Sequence, residues 1–308
     1  MRGDPRRGAR AGRHGLRPCA PRRRRPGPPA GGGLRGRAVS GRLFALAIGA
    51  AAALALAFLA VPLVALVTRV PPAELPALLT SPAALDAIAV TVRTNLIANV
   101  LILGVGTPAA YALARARGRG RDALMTLVEL PLVLPPAVAG IALLAAFGAG
   151  GVVGGWLAGH GVALPFTEAA VVLSVTFVAA PFYLRAAVAA FRAVETDQLD
   201  AARDLGASEA QVLAQIALPL ALDGLRSGWS LAFARGLGEF GATLLFAGSV
   251  ASVTQTLPLA VYAELAVDLD AAIALGILLL ALSAVVLAVA KLPAAWAPAQ
   301  RSMPGAGW

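Results

Sequence analysis

The sequence predicts an all-α membrane protein, a bundle of about six transmembrane helices. Two observations lead to this fold class. Of the 308 residues, 58% are hydrophobic and only 14% are charged, and the mean hydropathy of +0.77 is higher than a soluble domain tolerates. The apolar residues also occur in segments that are long enough to cross the hydrocarbon core of a bilayer.

Six apolar segments reach the length that a membrane helix needs, about 20 residues for a core of about 30 Å. Several contain glycine or proline, which membrane helices tolerate where neighbouring helices satisfy the freed backbone groups. We place the six segments at about 43–67, 88–114, 123–147, 169–191, 219–247 and 271–292.

The basic residues indicate how the bundle is oriented. Arginines occur in the connections 115–122 and 192–218, whereas the connections 148–168 and 249–270 contain neither Lys nor Arg. Because positive charge accumulates in cytoplasmic loops, we expect a multi-pass protein of the cell (inner) membrane with both termini in the cytoplasm. The transmembrane domain would cover residues 43–292, and a short tail, 293–308, would follow it.

Residues 1–42 form a separate basic segment. They hold half of the 26 basic residues, many Pro and Gly, and almost no large apolar side chains, so we expect a disordered arm. Beside a first membrane span, this charge is best explained as an orientation signal; contact with anionic membrane lipids is the alternative. Since half of the basic charge is confined to this arm, the net charge of +10 does not indicate nucleic-acid binding.

The sequence gives no support to metal or enzyme chemistry. The only cysteine is Cys19, and His14 and His160 are far apart, so we expect no metal site, no catalytic residue and no cofactor. A phosphate-binding loop needs Gly-x-x-x-x-Gly-Lys followed by Ser or Thr. The only lysine, Lys291, lies outside any such pattern, so a separate chain would have to hydrolyse any ATP that the protein uses.

One cytoplasmic connection, residues 195–219, has a pattern unlike the others. Its spacing predicts two short helices joined by a bend at Gly206-Ala207-Ser208. Four apolar residues would lie close to one stripe, namely Ala201, Leu205, Val212 and Ile216. Such a stripe in the cytosol either rests on the membrane surface or docks into another protein, and the spacing alone favours neither.

This connection resembles the cytoplasmic signature of ABC importer permeases, in which an acidic residue and two alanines are followed by a glycine and then by Ile-x-Leu-Pro. The departure is an aspartate where glutamate is usual, which keeps the charge. The resemblance implies a coupling helix that sits in a groove of an ABC ATPase subunit. The residues that it assigns to this coupling are Asp200, Ala201, Ala202, Leu205, Gly206, Val212, Ile216, Leu218 and Pro219.

The fifth apolar segment contains two charges near membrane depth, Arg235 and Glu239. Charged groups there are costly and usually find a partner, and the spacing of four residues allows these two to pair on one helix face. The pair either locks the helix against its neighbours or gates a pathway, and small residues nearby permit close helix packing. The candidate pathway or gate residues are Arg235, Gly238, Glu239, Gly241 and Thr243.

The amino-acid sequence of three stretches, 130–140, 238–248 and 254–262, resembles that of the molybdate permeases among the ABC importers. The resemblance extends over about residues 43–292. It implies a fold like that of type I importer permeases. It also implies two copies of the chain around a shared pathway, an extracytoplasmic oxyanion-binding protein and separate ATPase subunits.

Other transport functions remain open at this stage. Sulfate, thiosulfate and tungstate share the charge and geometry of molybdate, so a permease for one of them is the first alternative. An ion-coupled secondary transporter would place Arg235 and Glu239 on a proton or sodium route. The signature in 200–219 argues against that second alternative.

Overall fold

The computed structural model describes residues 34–291, with side chains from 44 to 289, and every regular element in this range is a helix. The predicted tail and most of the predicted arm lie outside the described residues; the first helix begins inside the arm, at Leu34. The elements are α1 (Leu34–Arg69), α2 (Leu75–Leu79), α3 (Pro82–Arg115), α4 (Arg119–Val133), α5 (Pro136–Phe147), α6 (Gly154–Gly159), α7 (Glu168–Ala193), α8 (Thr196–Asp204), α9 (Glu209–Gln211), a π-helical turn (Val212–Ala217), α10 (Leu218–Leu237), α11 (Gly241–Ala247), α12 (Leu257–Glu264) and α13 (Leu269–Lys291).

Within the described residues, α1, α3, α7 and α13 are long and apolar enough to cross a membrane. The chain bends by 116° between α4 and α5, and a fifth span results if these two helices are counted as one broken span. The helical membrane fold is confirmed, but by this criterion there are four or five spans where the sequence indicated six. α10 is not counted because its 20 residues include three charged residues, Asp223, Arg226 and Arg235; the count falls to four if the bent α4–α5 pair is not counted either.

The predicted third span is bent because it contains two adjacent prolines. Leu134 and Pro135 have ψ values of 132° and 138°, which are extended rather than helical. A proline disfavours the α conformation of the residue that precedes it. This restriction applies to Leu134, which precedes Pro135, and again to Pro135, which precedes Pro136. The helix therefore ends as α4 and starts again as α5 in a new direction.

Among the described residues, those from Ala60 onward belong to one of two units in the chain, and α7 is the central helix of this unit. α7 packs against α3 on one side and α10 on the other. Its Tyr183 is buried between them, and the hydroxyl lies 2.6 Å from that of Thr107 in α3. α7 thus contacts both the helix that precedes the bent pair and the helix that forms the first part of the predicted fifth span.

Residues 34–59 of α1 belong to the other unit. From Phe44 onward their side chains are exposed and almost all apolar. Such a surface is stable in contact with lipid tails or with another membrane helix.

Candidate functional site

The predicted fifth span is interrupted after α10, and Glu239 organises the interruption. α10 ends at Leu237, and α11 begins at Gly241. The Oε1 atom of Glu239 accepts a hydrogen bond of 2.8 Å from the backbone N–H of Ala242 in the first turn of α11. The carboxylate therefore satisfies a backbone donor that the start of a helix leaves free.

Arg235 and Glu239 form an ion pair across this break. The two charged groups approach to 2.8 Å, and the side chains are 29% and 1% exposed, respectively. Each charge lies at the favourable end of a helix dipole, the cation in the last turn of α10 and the anion just before α11. The expectation that the pair shares one helix face is wrong, because α10 has ended before Glu239 is reached.

The breaks of the third and fifth segments lie against each other. A Cβ atom on Gly241 would lie 2.6 Å from Cβ of Pro136, and one on Gly140 would lie 2.8 Å from Cβ of Leu245. Both glycines are therefore needed for the contact between α5 and α11. Gly238 differs, since a Cβ atom there would meet nothing within 4 Å, so close packing does not explain this glycine.

A small cavity adjoins the bend between α4 and α5. Its volume is about 160 Å³, and Arg235 is its one charged lining residue. This volume has room for several water molecules. An anion in the cavity would therefore find one attractive group, provided that Arg235 separates from Glu239. The other lining residues are apolar: Pro131, Leu132, Leu134, Pro136, Ala139, Val178 and Phe182.

Thr243 brings an unsatisfied polar group into α11. Its side chain is buried, and its hydroxyl has no hydrogen-bond partner among the described residues; the same holds for the hydroxyls of Thr176 and Thr256. A buried polar group without a partner costs about 1–3 kcal/mol. Such a group is available to water or to a polar solute that enters the bundle.

Asn95 and Asn99 of α3 join this region, although they are not among the predicted site residues. The Asn95 amide donates to the backbone carbonyl of Phe233 in α10 at 3.3 Å, and the Asn99 amide donates to Oδ1 of Asn95 at 3.0 Å. A side chain at Gly236 would collide with Asn95, so α3 and α10 are in close contact here. Two asparagines four residues apart in an apolar span were the available signal, since amides link membrane helices.

The connection 195–219 folds as two short helices joined by a bend, as the sequence predicted. After α8, Gly206 has a φ of +89°, and the N–H of Ala207 donates to the carbonyl of Ala202 at 3.0 Å, which is the Schellman pattern. Ser208 then begins α9 with a capping box that it forms with Gln211. Because a side chain is strained at this φ, Gly206 determines the bend.

The predicted apolar stripe is divided between two faces. Ala201 and Leu205 are exposed, Leu205 at 90%, whereas Val212 is 0% exposed and Ile216 is partly buried against the bundle. The prediction of a single stripe is therefore wrong. The left-handed turn at Gly206 redirects the chain, so that Val212 and Ile216 of the second helix face the membrane bundle, while Leu205, directly after the first helix, is the large apolar side chain that the connection exposes.

The remaining signature residues anchor the connection. Ala202 is buried with Leu199 in the core cluster that includes Phe191 of α7. At the other end, the backbone N–H of Leu218 donates to the carbonyl of Leu213, five residues earlier, which is a π-helical bond. Pro219 follows at once and has no N–H to donate, so the wide turn passes directly into α10.

Arg203 joins the two short helices. Its guanidinium donates to Oδ1 of Asp200 at 2.6 Å and to both carboxylate oxygens of Glu209, at 2.5 and 3.0 Å. These hydrogen bonds hold the pKa of the Glu209 carboxyl below its ordinary value. A bidentate arginine fixes geometry better than a single contact, so this bracket, Asp200–Arg203–Glu209, sets the angle between α8 and α9.

Several known proteins are similar to the chain. The molybdenum transport system permease protein ModB of Mycobacterium tuberculosis is 46% identical over 229 residues, which are 74% of this chain and 87% of that protein. ModB of Escherichia coli (strain K12) is 35% identical over 58% of this chain and 78% of its own length. The probable transport system permease protein NifC of Clostridium pasteurianum is 38% identical over 65% of this chain and 70% of its own length.

Solved structures show the same fold. A bacterial alginate ABC transporter in complex with alginate pentasaccharide-bound periplasmic protein contains a chain that superposes with a TM-score of 0.68 at 18% identity, covering 83% of this chain and 95% of that one. A bacterial ABC transporter involved in the import of alginate gives 0.66 at 16% identity, covering 82% and 96%. At these identities the likeness concerns the fold alone.

A family match covers more than half of the chain. Residues 103–294 match the family described as "Binding-protein-dependent transport system inner membrane component". This range includes both helix breaks, the Arg235–Glu239 pair and the whole 195–219 connection. The chain therefore belongs to the inner membrane components of binding-protein-dependent transport systems.

Proposed function

We propose that the chain is the transmembrane permease subunit of an ABC importer that moves molybdate into the cytoplasm, energised by a separate ATPase subunit. The observation that carries this proposal is the 46% identity with a ModB protein over 87% of that protein's length. Molybdate is a tetrahedral dianion, so its passage requires a route without strong, permanent binding. The buried charges described here fit that requirement because they neutralise each other.

Two copies of the chain form the pathway at their shared interface, and both termini of each copy lie in the cytoplasm. An extracytoplasmic oxyanion-binding protein delivers the cargo, and ATPase subunits dock on the opposite side. The charge pattern supports this orientation: α8 lies at the end of the bundle where α3 and α7 finish with Arg115 and Arg192 in their last turns.

The meeting point of the two helix breaks acts as the gate. In the present conformation Glu239 holds Arg235 and caps α11, so neither charge is offered to the cargo. When α10 and α11 move apart, the pair separates and Arg235 faces an incoming anion, while Gly238 supplies the backbone freedom of the hinge. Thr243 and Gly241 belong to α11, so both residues move with this helix.

Coupling to the ATPase is divided between exposed and buried signature residues. Asp200, Ala201, Leu205 and Gly206 are exposed and contact the ATPase subunit, with Leu205 as the apolar anchor. The partner's movement then passes through the buried part of the connection into α10 and the gate. The residues of that inner part are Ala202, Val212, Ile216 and Leu218, and the exposed Pro219 follows them at the start of α10.

Uptake of radioactive molybdate into proteoliposomes tests the proposal. The vesicles contain the chain with its ATPase subunit, and the binding protein is supplied outside. We expect uptake only when ATP is present with the ATPase and the binding protein is available. Uptake that follows a proton or sodium gradient without the ATPase would contradict the proposal and would indicate a secondary transporter.

A further inference from the structure

A polar cavity lies beside the start of α8, apart from the helix breaks. Its volume is about 530 Å³, and it is lined by the C-terminal end of α3, the C-terminal end of α7 and the first residue of α8. Three of its lining residues are arginines: Arg115, Arg117 and Arg192. They come from two different helices and the loop that follows α3, so they meet only in the folded bundle.

These three arginines have no carboxylate partner within the part of the chain that the structure describes. Arg115 lies over the ring of Tyr111, with Cζ 5.8 Å from the ring centroid, which leaves its N–H groups free to donate. The nearest carboxylates lie outside the lining: Glu209 binds Arg203 and also attracts Arg115 through its charge, and Glu195 accepts from Gln198 at 3.4 Å. The lining itself holds three arginines and no carboxylate, so positive charge dominates inside the cavity.

The first turn of α8 adds hydrogen-bond donors to the same cavity. Thr196, the first residue of this nine-residue helix, is a lining residue. Glu195 stands at the N-cap position, and its side chain makes no capping hydrogen bond. The backbone N–H groups of the first turn are thus available, together with the positive end of the helix dipole.

We propose that this cavity binds a phosphate-type tetrahedral anion, carried either by the headgroup of an acidic phospholipid or by a free oxyanion in the cytosol. Arginine forks match the oxygen atoms of such groups by paired hydrogen bonds. Basic pockets between membrane helices at the cytoplasmic side are typical sites for anionic headgroups. A helix start without a cap completes the donor set.

Occupation of the cavity has a mechanical consequence. An anion that bridges the ends of α3 and α7 with the start of α8 fixes the first of the two short helices against the bundle. Leu205 directly follows that helix as its C-cap, so the bound anion favours a defined position of the exposed coupling surface. The site and its ligand do not depend on which oxyanion the protein transports.

The experiment compares a double variant, Arg115→Gln/Arg192→Gln, with a control of the same charge loss, Arg69→Gln/Arg119→Gln. The control arginines are exposed and have no ion pair among the described residues. Arg117→Gln, on the exposed loop, is a milder second variant in case the double variant folds poorly. The full chain is placed in nanodiscs of phosphatidylcholine that contain a small fraction of cardiolipin, and retained lipid is counted by native mass spectrometry. A second arm titrates inorganic phosphate and molybdate against nanodiscs of phosphatidylcholine alone.

We expect each cavity arginine to contribute roughly fivefold to binding, so the double variant should lose about 25-fold and Arg117→Gln about fivefold. The control should bind like the wild type. A loss confined to the cardiolipin arm identifies the lipid headgroup, and a loss confined to the phosphate and molybdate arm identifies the free oxyanion; both support the site. Equal binding by cavity and control variants in both arms would overturn it.

Discussion

Glu239→Gln removes the charge of the gate pair with little change of shape. Glutamine keeps an oxygen that accepts the hydrogen bond from Ala242, so the cap of α11 is preserved. Arg235, however, loses the carboxylate at 2.8 Å while only 29% of its side chain is exposed. The variant therefore isolates the electrostatic part of the contact across the break.

The expected energy follows from the geometry of the pair. Two unit charges 2.8 Å apart attract by about 6 kcal/mol at an effective dielectric constant of about 20, and desolvation of the charges offsets part of this. Loss of one partner from a buried pair costs about 3–5 kcal/mol. Because Arg235 keeps some exposure, we expect the lower end, about 3 kcal/mol, which is roughly a hundredfold shift toward conformations in which the pair is apart.

Basal ATP hydrolysis measures this shift. In proteoliposomes with the ATPase subunit but without binding protein, Glu239→Gln should hydrolyse ATP several times faster than the wild type, since its gate opens without a signal. The double variant Arg235→Gln/Glu239→Gln removes both charges and should return most of the way to wild type.

Asp122→Asn is the matched control for this experiment. It removes the pair of Asp122 with Arg121 in the predicted cytoplasmic connection, where the charged groups lie 3.1 Å apart and the Asp122 side chain is 74% exposed, and such pairs contribute only about 0.2–1 kcal/mol. If Glu239→Gln behaves like this control in both ATP hydrolysis and molybdate uptake, the pair only packs the bundle and the gating argument is refuted.

Three further predictions concern packing, docking and pH. Gly140→Ala should lower the free energy of unfolding by about 1–3 kcal/mol, because the added methyl group collides with α11, and the melting temperature should fall. Gly104→Ala, the control, places its methyl group in open space and should be neutral or slightly stabilising. Equal effects of the two changes would contradict the contact between α5 and α11. Leu205→Glu should leave membrane insertion intact but abolish recruitment of the ATPase subunit in a pull-down. Val267→Glu changes another exposed residue and should recruit the ATPase normally. Normal recruitment by Leu205→Glu would contradict the docking role of Leu205. The hydrogen bonds from Arg203 lower the pKa of the Glu209 carboxyl. The Asp200–Arg203–Glu209 bracket should therefore be complete above pH 4.5, the ordinary pKa of a glutamate, and should open as the pH falls through the lowered pKa. An ordinary pKa for Glu209 in an NMR titration would contradict this.

The sequence predicted those features that depend on local pattern. Long apolar segments indicated a helical membrane bundle, and Gly206 with Ser208 indicated the bend between α8 and α9, because a left-handed residue and a capping box are properties of a few neighbouring residues. The charges Arg235 and Glu239 were recognised as partners because isolated charges are costly at membrane depth.

Features that depend on contacts between distant residues were not predicted. The break before Gly241 is stabilised by the contact of α11 with Pro136, about a hundred residues earlier in the chain, and helical periodicity carries no sign of it. The division of the apolar stripe has the same origin, since Val212 is buried by packing against α7 and its neighbours. The local spacing of apolar residues could not distinguish this inward face from the outward face of Leu205.

Stimulation of ATP hydrolysis by different oxyanions shows whether the chain is a molybdate permease that depends on a separate ATPase. The assay uses proteoliposomes that contain this chain and its ATPase subunit, with the binding protein and increasing concentrations of molybdate, tungstate or sulfate outside. We expect half-maximal stimulation by molybdate at a far lower concentration than by sulfate. Stimulation by sulfate at the lower concentration, or no association between the chain and an ATPase, would contradict it.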